Sequence, residues 1–531
     1  MLCIAYYKGR RGKRCERHLK CEPLDKPVSY TQCMTNMEAQ MTKICKFLLM
    51  FVLAFSTVSV AKAMYLDPGE NVRVTLQDDG RQIPDCTGKG YMGARDVKVD
   101  SQGRWVLFRT RCPMTVRWGS RQQRIADGKD HLYIRDLESG RTVLVSRNSQ
   151  GEPSNGWDAW ASFSSNGRWV AFMSSATNFP DNGDQNGGRG YCVNYPQAIA
   201  CNSDVYLLNR DVSGDGVMDE PGDISLTLVS KGAGESAYDP TLAGNGDVVA
   251  YTRISPGASH IVVWDRVINR RFYVDRAGGQ LSNGLSFWSA ITNNALKVAF
   301  VSRGSNLVPG DTNDTMDLFL WTRASRTATY GTIRRLNVPR YGGQSRAGVL
   351  APSISGDGER VAFVTKGNLS GDDTNGLEDA YVWDARIGHP VLVTTSRTGG
   401  DTNGITDSAS LSGSGSHLVF TSRASNLVSG DANGARDVFL MRLDWLDTLS
   451  PRMWRRPQGL GDPYRVTFKR KPTDAEYPAI SNGDFSGYIE SRGWVVYQTL
   501  QPMVAGDSND AYDGYIYKLP LEVMAKLRSR N

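Results

Sequence analysis

The stretch from Ile354 to Phe363, ISGDGERVAF, decides the fold because its pattern returns along the chain. It joins a small polar turn, where glycine supplies a positive φ at little cost, to a short apolar strand. Six other stretches repeat this core strand: GRWVLF (103–108), GRWVAF (167–172), GDVVAY (246–251), LKVAF (296–300), GSHLVF (415–420) and GWVVY (493–497). Seven copies at steps of 49 to 79 residues indicate a repeat architecture.

Further strand-like segments follow each core strand in a constant order. A loop leads to a second strand, which often begins with Asp, as in DVYLLNRD (204–211) and DAYVWDAR (379–386). Most copies then add an outer strand such as PVLVTTSR (390–397). We predict an all-β chain, a seven-bladed β-propeller of four-stranded antiparallel blades. A β-sandwich, the alternative, would not repeat this order seven times.

The two ends of the repeat region complement each other. The last copy has no outer strand after YIYKL (515–519), while the strand-like segment NVRVTL (71–76) precedes the first copy. Because a propeller closes into a ring to protect its sheet edges, we predict that this N-terminal strand completes the seventh blade.

The region before the repeats has the features of an export signal. KICKFLLMFVLAFSTVSVAKA (43–63) has two early lysines, an apolar run and an A-x-A exit, which predict a signal peptide over 41–63. The apolar run, about fourteen residues, is shorter than the roughly twenty that span a bilayer.

Because a signal peptide begins at the initiator methionine, we expect residues 1–40 to be a non-native extension, with Met41, or else Met34 or Met37, as the true start. The propeller is expected over 64–520 and a C-terminal tail over 521–531. After cleavage the chain would have no transmembrane anchor and would be periplasmic or secreted.

The net charge of +7 comes from the N-terminal region. Residues 1–63 hold 11 Lys and Arg against 4 Asp and Glu, so 51 of the 62 basic and 51 of the 55 acidic residues remain beyond it. A neutral mature chain gives no support to nucleic-acid binding. We expect a monomer.

Four of the nine cysteines lie beyond the predicted cleavage site: Cys86, Cys112, Cys192 and Cys201. An even number in an exported chain predicts two disulfides, most simply Cys86 with Cys112 and Cys192 with Cys201. A zinc site is the alternative, but no C-x-x-C or H-x-x-x-H spacing supports it.

The repeats resemble those of TolB-type propellers. The resemblance rests on FSSNGRWVAF (163–172) with DVYLLNRD, ISGDGERVAF with DAYVWDAR and, more loosely, LSGSGSHLVF (411–420) with DVFLMRLD (437–444). It covers roughly residues 90–517 and implies an exported propeller of undefined partner. TolB proteins carry a further N-terminal α/β domain, for which the segment before the first repeat is too short. The resemblance is informative about fold and poor in information about function.

A D-x-N-x-x-x-D motif precedes several second strands, and we call these segments the Asp-x-Asn loops. They are Asp311, Asn313 and Asp317; Asp373, Asn375 and Asp379; Asp431, Asn433 and Asp437; and Asp507, Asn509 and Asp513. Oxygen ligands at this spacing can converge on Ca²⁺. The alternative is that the Asp and Asn side chains cap their own turns and the backbone of the loop.

A second candidate calcium loop is DVSGDGVMDE (211–220). It places Asp211, Ser213, Asp215 and Asp219 at positions one, three, five and nine, which resembles an EF-hand-like cation site. The twelfth position is Gly222 rather than Glu, although Glu220 and Asp223 lie close by in sequence, and a solvated acidic hairpin is the alternative.

The sequence contains no recognisable catalytic motif, neither G-x-S-x-G nor H-E-x-x-H. His131, His260, His389 and His417 are expected to be structural. Two segments could form a binding face: the insert 181–201, and 443–464 with its tryptophans Trp445 and Trp454, for which packing on the blade is the alternative. We therefore expect a non-catalytic scaffold that binds an envelope or extracellular protein, or a glycan. The alternative is a propeller enzyme, a hydrolase or lyase acting on carbohydrate or another polymer.

Overall fold

A computed structural model describes most of the chain. The described residues are 2–7, 17–22, 71–86, 93–101, 103–179, 194–195, 198–199, 203–230, 236–350, 352–432, 434–467, 494–499, 503–504, 507 and 511–518. The chain divides into two compact units, residues 1–60 and 61–531. The predicted signal peptide and C-terminal tail lie outside the described residues. Among the residues that are described, no helix is long and apolar enough to cross a membrane.

The first unit contains one pair of antiparallel strands, Leu2–Tyr7 and Arg17–Glu22.

The second unit is a seven-bladed β-propeller, as predicted. Blades 1 to 6 are four-stranded antiparallel sheets in which the strands pair in chain order. Their strands are Arg95–Val99, Trp105–Thr110, His131–Asp136 and Thr142–Leu144 in blade 1; Asp158–Phe163, Trp169–Ser174, Asp204–Asn209 and Ser225–Leu228 in blade 2; and Ser236–Leu242, Val248–Ser255, Ala258–Asp265 and Arg270–Tyr273 in blade 3. Blade 4 has Ser286–Ile291, Lys297–Ser302, Asp317–Thr322 and Thr332–Arg335; blade 5 has Ser353–Ile354, Arg360–Thr365, Asp379–Asp384 and Pro390–Leu392; and blade 6 has Thr406–Leu411, His417–Ser422, Asp437–Arg442 and Tyr464–Arg465.

Blade 7 closes the ring with strands from both ends of the propeller. Trp494–Thr499 pairs with Asp513–Lys518, which pairs in turn with the N-terminal strand Asn71–Arg73. The predicted closure by residues 71–76 is therefore confirmed. At the seam with blade 1, the Ala94 amide donates to the Tyr512 carbonyl oxygen at 2.6 Å. Gly93 is required there, because a Cβ atom would lie 2.4 Å from that oxygen.

One backbone hydrogen bond recurs between neighbouring blades. A backbone amide at or shortly before the start of a first strand donates to the carbonyl oxygen of the residue just before the third strand of the preceding blade. Asp158 donates to Asp130, Ala237 to Ser203, Val349 to Met316 and Thr406 to Glu378, at 2.8 to 3.1 Å. The first strands of successive blades also pack on one another, so they surround the centre of the ring.

The aromatic residue that ends each core strand forms the centre of a blade. In six blades it stacks on an aromatic residue of the third strand, and both rings are buried; in blade 3 Tyr251 faces Val262 instead. These pairs have ring centroids 5.4 to 6.0 Å apart: Phe108–Tyr133, Phe172–Tyr206, Phe300–Phe319, Phe363–Tyr381, Phe420–Phe439 and Tyr497–Tyr515. Burial of large rings and their offset stacking account for the aromatic position of the repeat.

A few elements lie outside the blade pattern. They are the hairpins Met114–Trp118 with Arg121–Ile125, Asn194–Tyr195 with Ala198–Ile199, and Arg276–Ala277 with Gln280–Leu281, and a helical turn, Trp445–Thr448. The predicted disulfide between Cys86 and Cys112 is present, with Cα atoms 5.6 Å apart. Cys192 and Cys201 lie outside the described residues.

Candidate functional site

The last Asp of each Asp-x-Asn loop fastens the outer strand to the third strand. In blade 5, the Thr394 hydroxyl donates to Asp379 at 2.8 Å and accepts the amide of Ala380 at 2.8 Å. The same two bonds recur in blades 2, 4, 6 and 7, where the pairs are Ser230–Asp204, Asn337–Asp317, Thr467–Asp437 and Thr75–Asp513. The repeated carboxylate therefore has a structural role in every blade that carries it.

The Asn of the motif presents its amide nitrogen to this carboxylate. Asn313 Nδ2 lies 3.1 Å from Asp317 Oδ2, and Asn375 Nδ2 lies 2.9 Å from Asp379 Oδ2. The same nitrogens also donate to the backbone carbonyls of Ser345 and Thr402. Because a carbonyl can only accept, these bonds fix the amide orientation, and the Asn oxygen points away from the Asp.

An arginine of the outer strand bridges the first and last Asp of three loops. In blade 4, an Arg335 guanidinium nitrogen lies 3.5 Å from Asp311 and 3.4 Å from Asp317. In blade 6, Arg465 lies in the same way between Asp431 and Asp437. In blade 7, Arg73 lies between Asp507 and Asp513. In these three loops a guanidinium occupies the position between two carboxylates that the calcium hypothesis gives to a metal ion.

Blade 5 lacks this arginine, because Leu392 occupies the equivalent position of the outer strand. Asp373 instead accepts a hydrogen bond from the Tyr381 hydroxyl at 2.8 Å. Asp379 accepts from Asn375, Thr394 and Thr402. Burial, with a contribution from Asp373, raises the pKa of Asp379 to about 6.

The described Asp-x-Asn loops therefore have the geometry of the capping alternative, with protein donors around each carboxylate. Asn433 and Asn509 lie outside the described residues, so the two remaining loops are described only at their aspartates. Calcium binding at these loops stays a prediction.

The loop that starts at Asp211 brings three carboxylates together. Oxygens of Asp211, Asp215 and Asp223 lie within 4.8 Å of one another. Asp211 accepts the amides of Gly214 and Gly216 at 2.6 and 3.1 Å, and the Ser213 hydroxyl donates to Asp223 at 3.0 Å. The predicted Asp211, Ser213 and Asp215 are thus placed together, and Asp223 joins them.

Asp219, the fourth predicted ligand of this loop, is placed elsewhere. It has a positive φ of 66° and is buried. Its carboxylate pairs with the buried guanidinium groups of Arg147, at 2.9 Å, and Arg210. Asp219 therefore ties the loop to blades 1 and 2, and the structure does not group it with the other three acids.

The four histidines of the propeller have structural partners. His131, which is buried, lies 3.0 Å from Asp158 and 3.1 Å from Asp127; burial opposes its protonation, but these two carboxylates outweigh it and raise its pKa. His260 contacts Asp275, His389 contacts the Pro451 carbonyl, and His417 contacts the Ser416 hydroxyl. The sequence had offered no partner for His389, because Pro451 is 62 residues away.

The segment 443–464 packs against the propeller. Trp445 is buried, and its indole N–H donates to the Arg442 carbonyl at 2.8 Å. Trp454 stacks on His389 with ring centroids 3.7 Å apart, and its carbonyl accepts the amide of Leu392. Both tryptophans therefore pack on the propeller, as the alternative to a binding face predicts. Trp445 contacts blade 6 and Trp454 contacts blade 5. The insert 181–201 lies largely outside the described residues.

The sequence did not predict a cluster of arginines in blade 1, where the first strand begins, the second ends and the third begins. We call it the Arg95 cluster. It consists of Arg95, Arg109, Arg111, Asp96 and Asp130. Asp130, which is 2% exposed, lies 3.0 Å from Arg95, 2.8 Å from Arg111 and 3.6 Å from Arg109. Asp96 pairs with Arg109 at 2.6 Å. Three guanidinium groups therefore face two carboxylates.

An exposed tryptophan adjoins the Arg95 cluster. The Arg111 guanidinium lies 4.0 Å from the ring centroid of Trp157, which precedes the first strand of blade 2 and is 45% exposed. The sequence signal for this site is the RTRC stretch (109–112), which directly follows the core strand GRWVLF. The contacts join residues of two strands and three loops, so local spacing does not reveal them.

Strained residues occupy one equivalent position in the first strands of blades 1 to 4. Each is a non-glycine residue with positive φ at a β-bulge: Asp96 (54°), Trp160 (42°), Asp239 (54°) and Trp288 (50°). All four are half-buried. Bulges redirect side chains and are frequent near binding sites, so these residues mark the centre of the ring as a second surface of interest.

Comparisons with known proteins add remote likenesses in fold. No protein-family model and no curated protein matches the chain. Among solved structures, TolB from Acinetobacter baumannii is 14% identical over 59% of this chain, with a TM-score of 0.32; the match spans 57% of that structure. An oligogalacturonate lyase from Vibrio parahaemolyticus is 10% identical over 86% of this chain and 99% of its own, with a TM-score of 0.45. The propeller domain of the Trilobed protease from Pyrococcus furiosus is 10% identical over 80% of this chain and 95% of its own, with a TM-score of 0.43.

Proposed function

We propose that this protein is an exported, non-catalytic propeller of the TolB-like type that acts as a protein-interaction scaffold in the cell envelope. The observation that carries the proposal is the distribution of its polar groups. The described aspartates of the Asp-x-Asn loops and the histidines are held by structural partners, whereas Arg111 and Trp157 form a partly exposed surface. Arginine and tryptophan are the residues that most often dominate protein interfaces.

The proposed location outside the cytoplasm has one structural support. The Cys86–Cys112 disulfide joins the segment before blade 1 to the end of its second strand. Such bonds persist mainly in oxidising compartments.

Retention of a protein partner tests the scaffold proposal. The protein, immobilised through a tag, is incubated with detergent-solubilised envelope extract of the source cells, and bound proteins are identified after washes of rising salt. The proposal expects a partner retained in stoichiometric amount, and recovery of none would contradict it.

The strained residues at the centre of the ring favour a second candidate, an enzyme acting on carbohydrate. Trp160 and Trp288 add aromatic rings, and Asp239 and Asp96, the latter in its ion pair with Arg109, add carboxylates; sugar-cleaving sites combine these groups. The test is turnover of a panel of polysaccharides. Turnover that Asp239→Asn abolishes would replace the scaffold proposal with this one.

We also propose that Ca²⁺ binds at Asp211, Asp215 and Asp223. Three carboxylates and the Ser213 hydroxyl supply the hard oxygen ligands that this ion prefers, and the glycine amides hold Asp211 in place. Calorimetric titration of chelator-treated protein should show Ca²⁺ binding that Asp215→Asn weakens at least tenfold. Asp314→Asn, a change at an aspartate of the blade 4 loop outside the acid cluster, is the control. Equal binding by wild type and Asp215→Asn would contradict the proposal.

A further inference from the structure

We infer that the Arg95 cluster and Trp157 form the docking site for a carboxylate-bearing segment of the partner protein. The inference rests on the proposed scaffold function and names the chemistry that the partner presents.

Charge is the first argument. The guanidinium groups of Arg95, Arg109 and Arg111 all lie within 3.6 Å of one carboxylate, that of Asp130, and Asp96 also pairs with Arg109. Burial and the neighbouring guanidinium of Arg109 lower the pKa of Arg95, with a smaller effect of Arg111, even though Asp130 and Asp96 oppose them. Like charges held this closely are stabilised by a further anion.

Geometry is the second argument. Arg111 uses its Nε to contact Asp130, and its side chain is 32% exposed. A planar guanidinium can bind a second carboxylate through two parallel hydrogen bonds. Arg111 is therefore partly held by the protein and partly accessible to a ligand.

Rigidity is the third argument. Arg111 directly precedes Cys112, which is joined to Cys86 and whose amide donates to the Thr110 hydroxyl at 3.1 Å. The backbone of Trp157 is fixed by two hydrogen bonds with Ser175, at 2.9 and 3.0 Å, and its ring packs against the Arg111 guanidinium. Both contact residues are thus held in place before binding, which lowers the entropic cost of association.

Trp157 selects the kind of partner. Its exposed ring stacks on Arg111 and provides an apolar surface directly beside the charge. A protein segment with Asp or Glu next to an aliphatic residue can contact both groups at once, as the hot spots of protein interfaces do.

Binding of defined peptides tests the inference. The probe is a fluorescein-labelled short peptide of Glu and Leu residues, blocked at both ends, and its affinity is measured by fluorescence anisotropy. A second peptide has Lys in place of Glu. A third has Gln in place of Glu and a free C-terminal carboxylate, so it separates side-chain from C-terminal recognition. A soluble oligouronate, which carries carboxylates on a sugar, is the competitor.

We expect the wild-type protein to bind the Glu or the C-terminal carboxylate peptide, and not the Lys peptide, with an affinity that falls as salt rises. Arg111→Ala and Trp157→Ala should each lower that affinity about tenfold. Arg111→Lys should recover only part of it, because lysine keeps the charge but not the planar fork. The variants should remain folded, since Asp130 keeps its contacts with Arg95 and Arg109.

A matched control lies in another part of the ring. Arg340 is stacked over Tyr341 at 5.5 Å, and this tyrosine is 79% exposed, so Arg340→Ala and Tyr341→Ala remove a similar exposed pair. Both controls should bind like wild type.

Three outcomes would overturn the inference: no binding of either carboxylate peptide, equal binding of the Lys peptide, or unchanged binding by Arg111→Ala and Trp157→Ala. Oligouronate binding that Arg111→Ala abolishes, without peptide binding, would assign the site to a glycan and overturn it too. If Arg111→Ala still retains an envelope partner, the scaffold function stands and this docking site is wrong.

Discussion

The Asp-x-Asn loops of blades 4 and 5 have the same motif but complete it differently. In blade 4 the Arg335 guanidinium lies between Asp311 and Asp317. In blade 5 Leu392 stands at the arginine position, and the hydrogen-bond donors to Asp373 and Asp379 are neutral hydroxyl and amide groups. The comparison teaches that a motif fixes the shape of a loop, while a residue on a different strand decides its electrostatics.

The largest effect is expected when blade 4 is made to resemble blade 5. Arg335→Leu leaves Asp311 and Asp317 without their cation, and Phe319 stands where blade 5 has the hydroxyl of Tyr381. Breaking an ion pair whose acids are buried should lower the free energy of unfolding by about 3 kcal/mol, measured as the urea midpoint at pH 7.5.

The neighbouring Arg334 provides the control for this change. It is exposed, so Arg334→Leu should cost less than about 1 kcal/mol. Equal urea midpoints for the two variants would show that the Arg335 bridge does not stabilise blade 4 more than the exposed Arg334 does.

Blade 5 should make stability depend on pH near 6. The folded pKa of Asp379, about 6, exceeds its ordinary value of 3.8. The folded state therefore holds this proton more tightly, so the stabilisation is complete below pH 4 and is lost as the pH rises through 6. Unfolding at pH 7.5 should be easier than at pH 4.5 by about 2 kcal/mol from this group.

Asp379→Asn should remove this part of the pH dependence. An asparagine can turn its oxygen toward Asn375 and its amide toward the threonine hydroxyls, which accept as well as donate. The difference between wild type and variant isolates Asp379 from other titrating groups such as His131. Parallel stability curves for the two proteins would rule out a perturbed Asp379.

Loss of the strand-fastening hydroxyl should cost more in blade 5 than in blade 6. Thr394→Val leaves Asp379 with two donors and no arginine, whereas Thr467→Val leaves Asp437 near Arg465. We expect losses of about 2 and about 1 kcal/mol, from chemical denaturation at pH 7.5. Thr394→Ser, which keeps the hydroxyl, is the control, and the reverse ranking would contradict the comparison.

The smallest effect concerns the other acid of blade 5. Burial and the nearby Asp401 raise the pKa of Asp373. Asp373→Asn keeps an acceptor for Tyr381 and removes a like charge beside Asp379, so it should stabilise the protein by about 0.5 to 1 kcal/mol at pH 8. Destabilisation at pH 8, with the fold intact by circular dichroism, would show that the two acids do not repel each other.

Much of the fold could be predicted, because its signals are local. The turn of each repeat, the alternation of its strands and the aromatic that ends the core strand all lie within about ten residues. The closure by residues 71–76 was predicted from a missing outer strand at the other end of the repeats. Such arguments need only the rule that sheet edges must be paired.

The chemistry of the sites could be predicted only in part. The cation beside Asp317 is Arg335, which belongs to the outer strand, so its position depends on strand register. Asp219 was expected to join Asp211, but its positive φ turns it toward two buried arginines, while Asp223 lies beside Asp211 and Asp215. Tertiary contacts of this kind leave no trace in spacing.

The ring closure by Asn71–Arg73 constrains the order in which the protein can be made. Thr75 and Asp513, which hold this seam together, are 438 residues apart in sequence. Contacts of such high contact order form late, because most of the chain must be synthesised before they can exist. Until then blade 7 is unfinished, and its unpaired strand edge is a template for intermolecular strand addition. Folding of the propeller therefore ends where its N-terminal strand Asn71–Arg73 meets its last strand Asp513–Lys518.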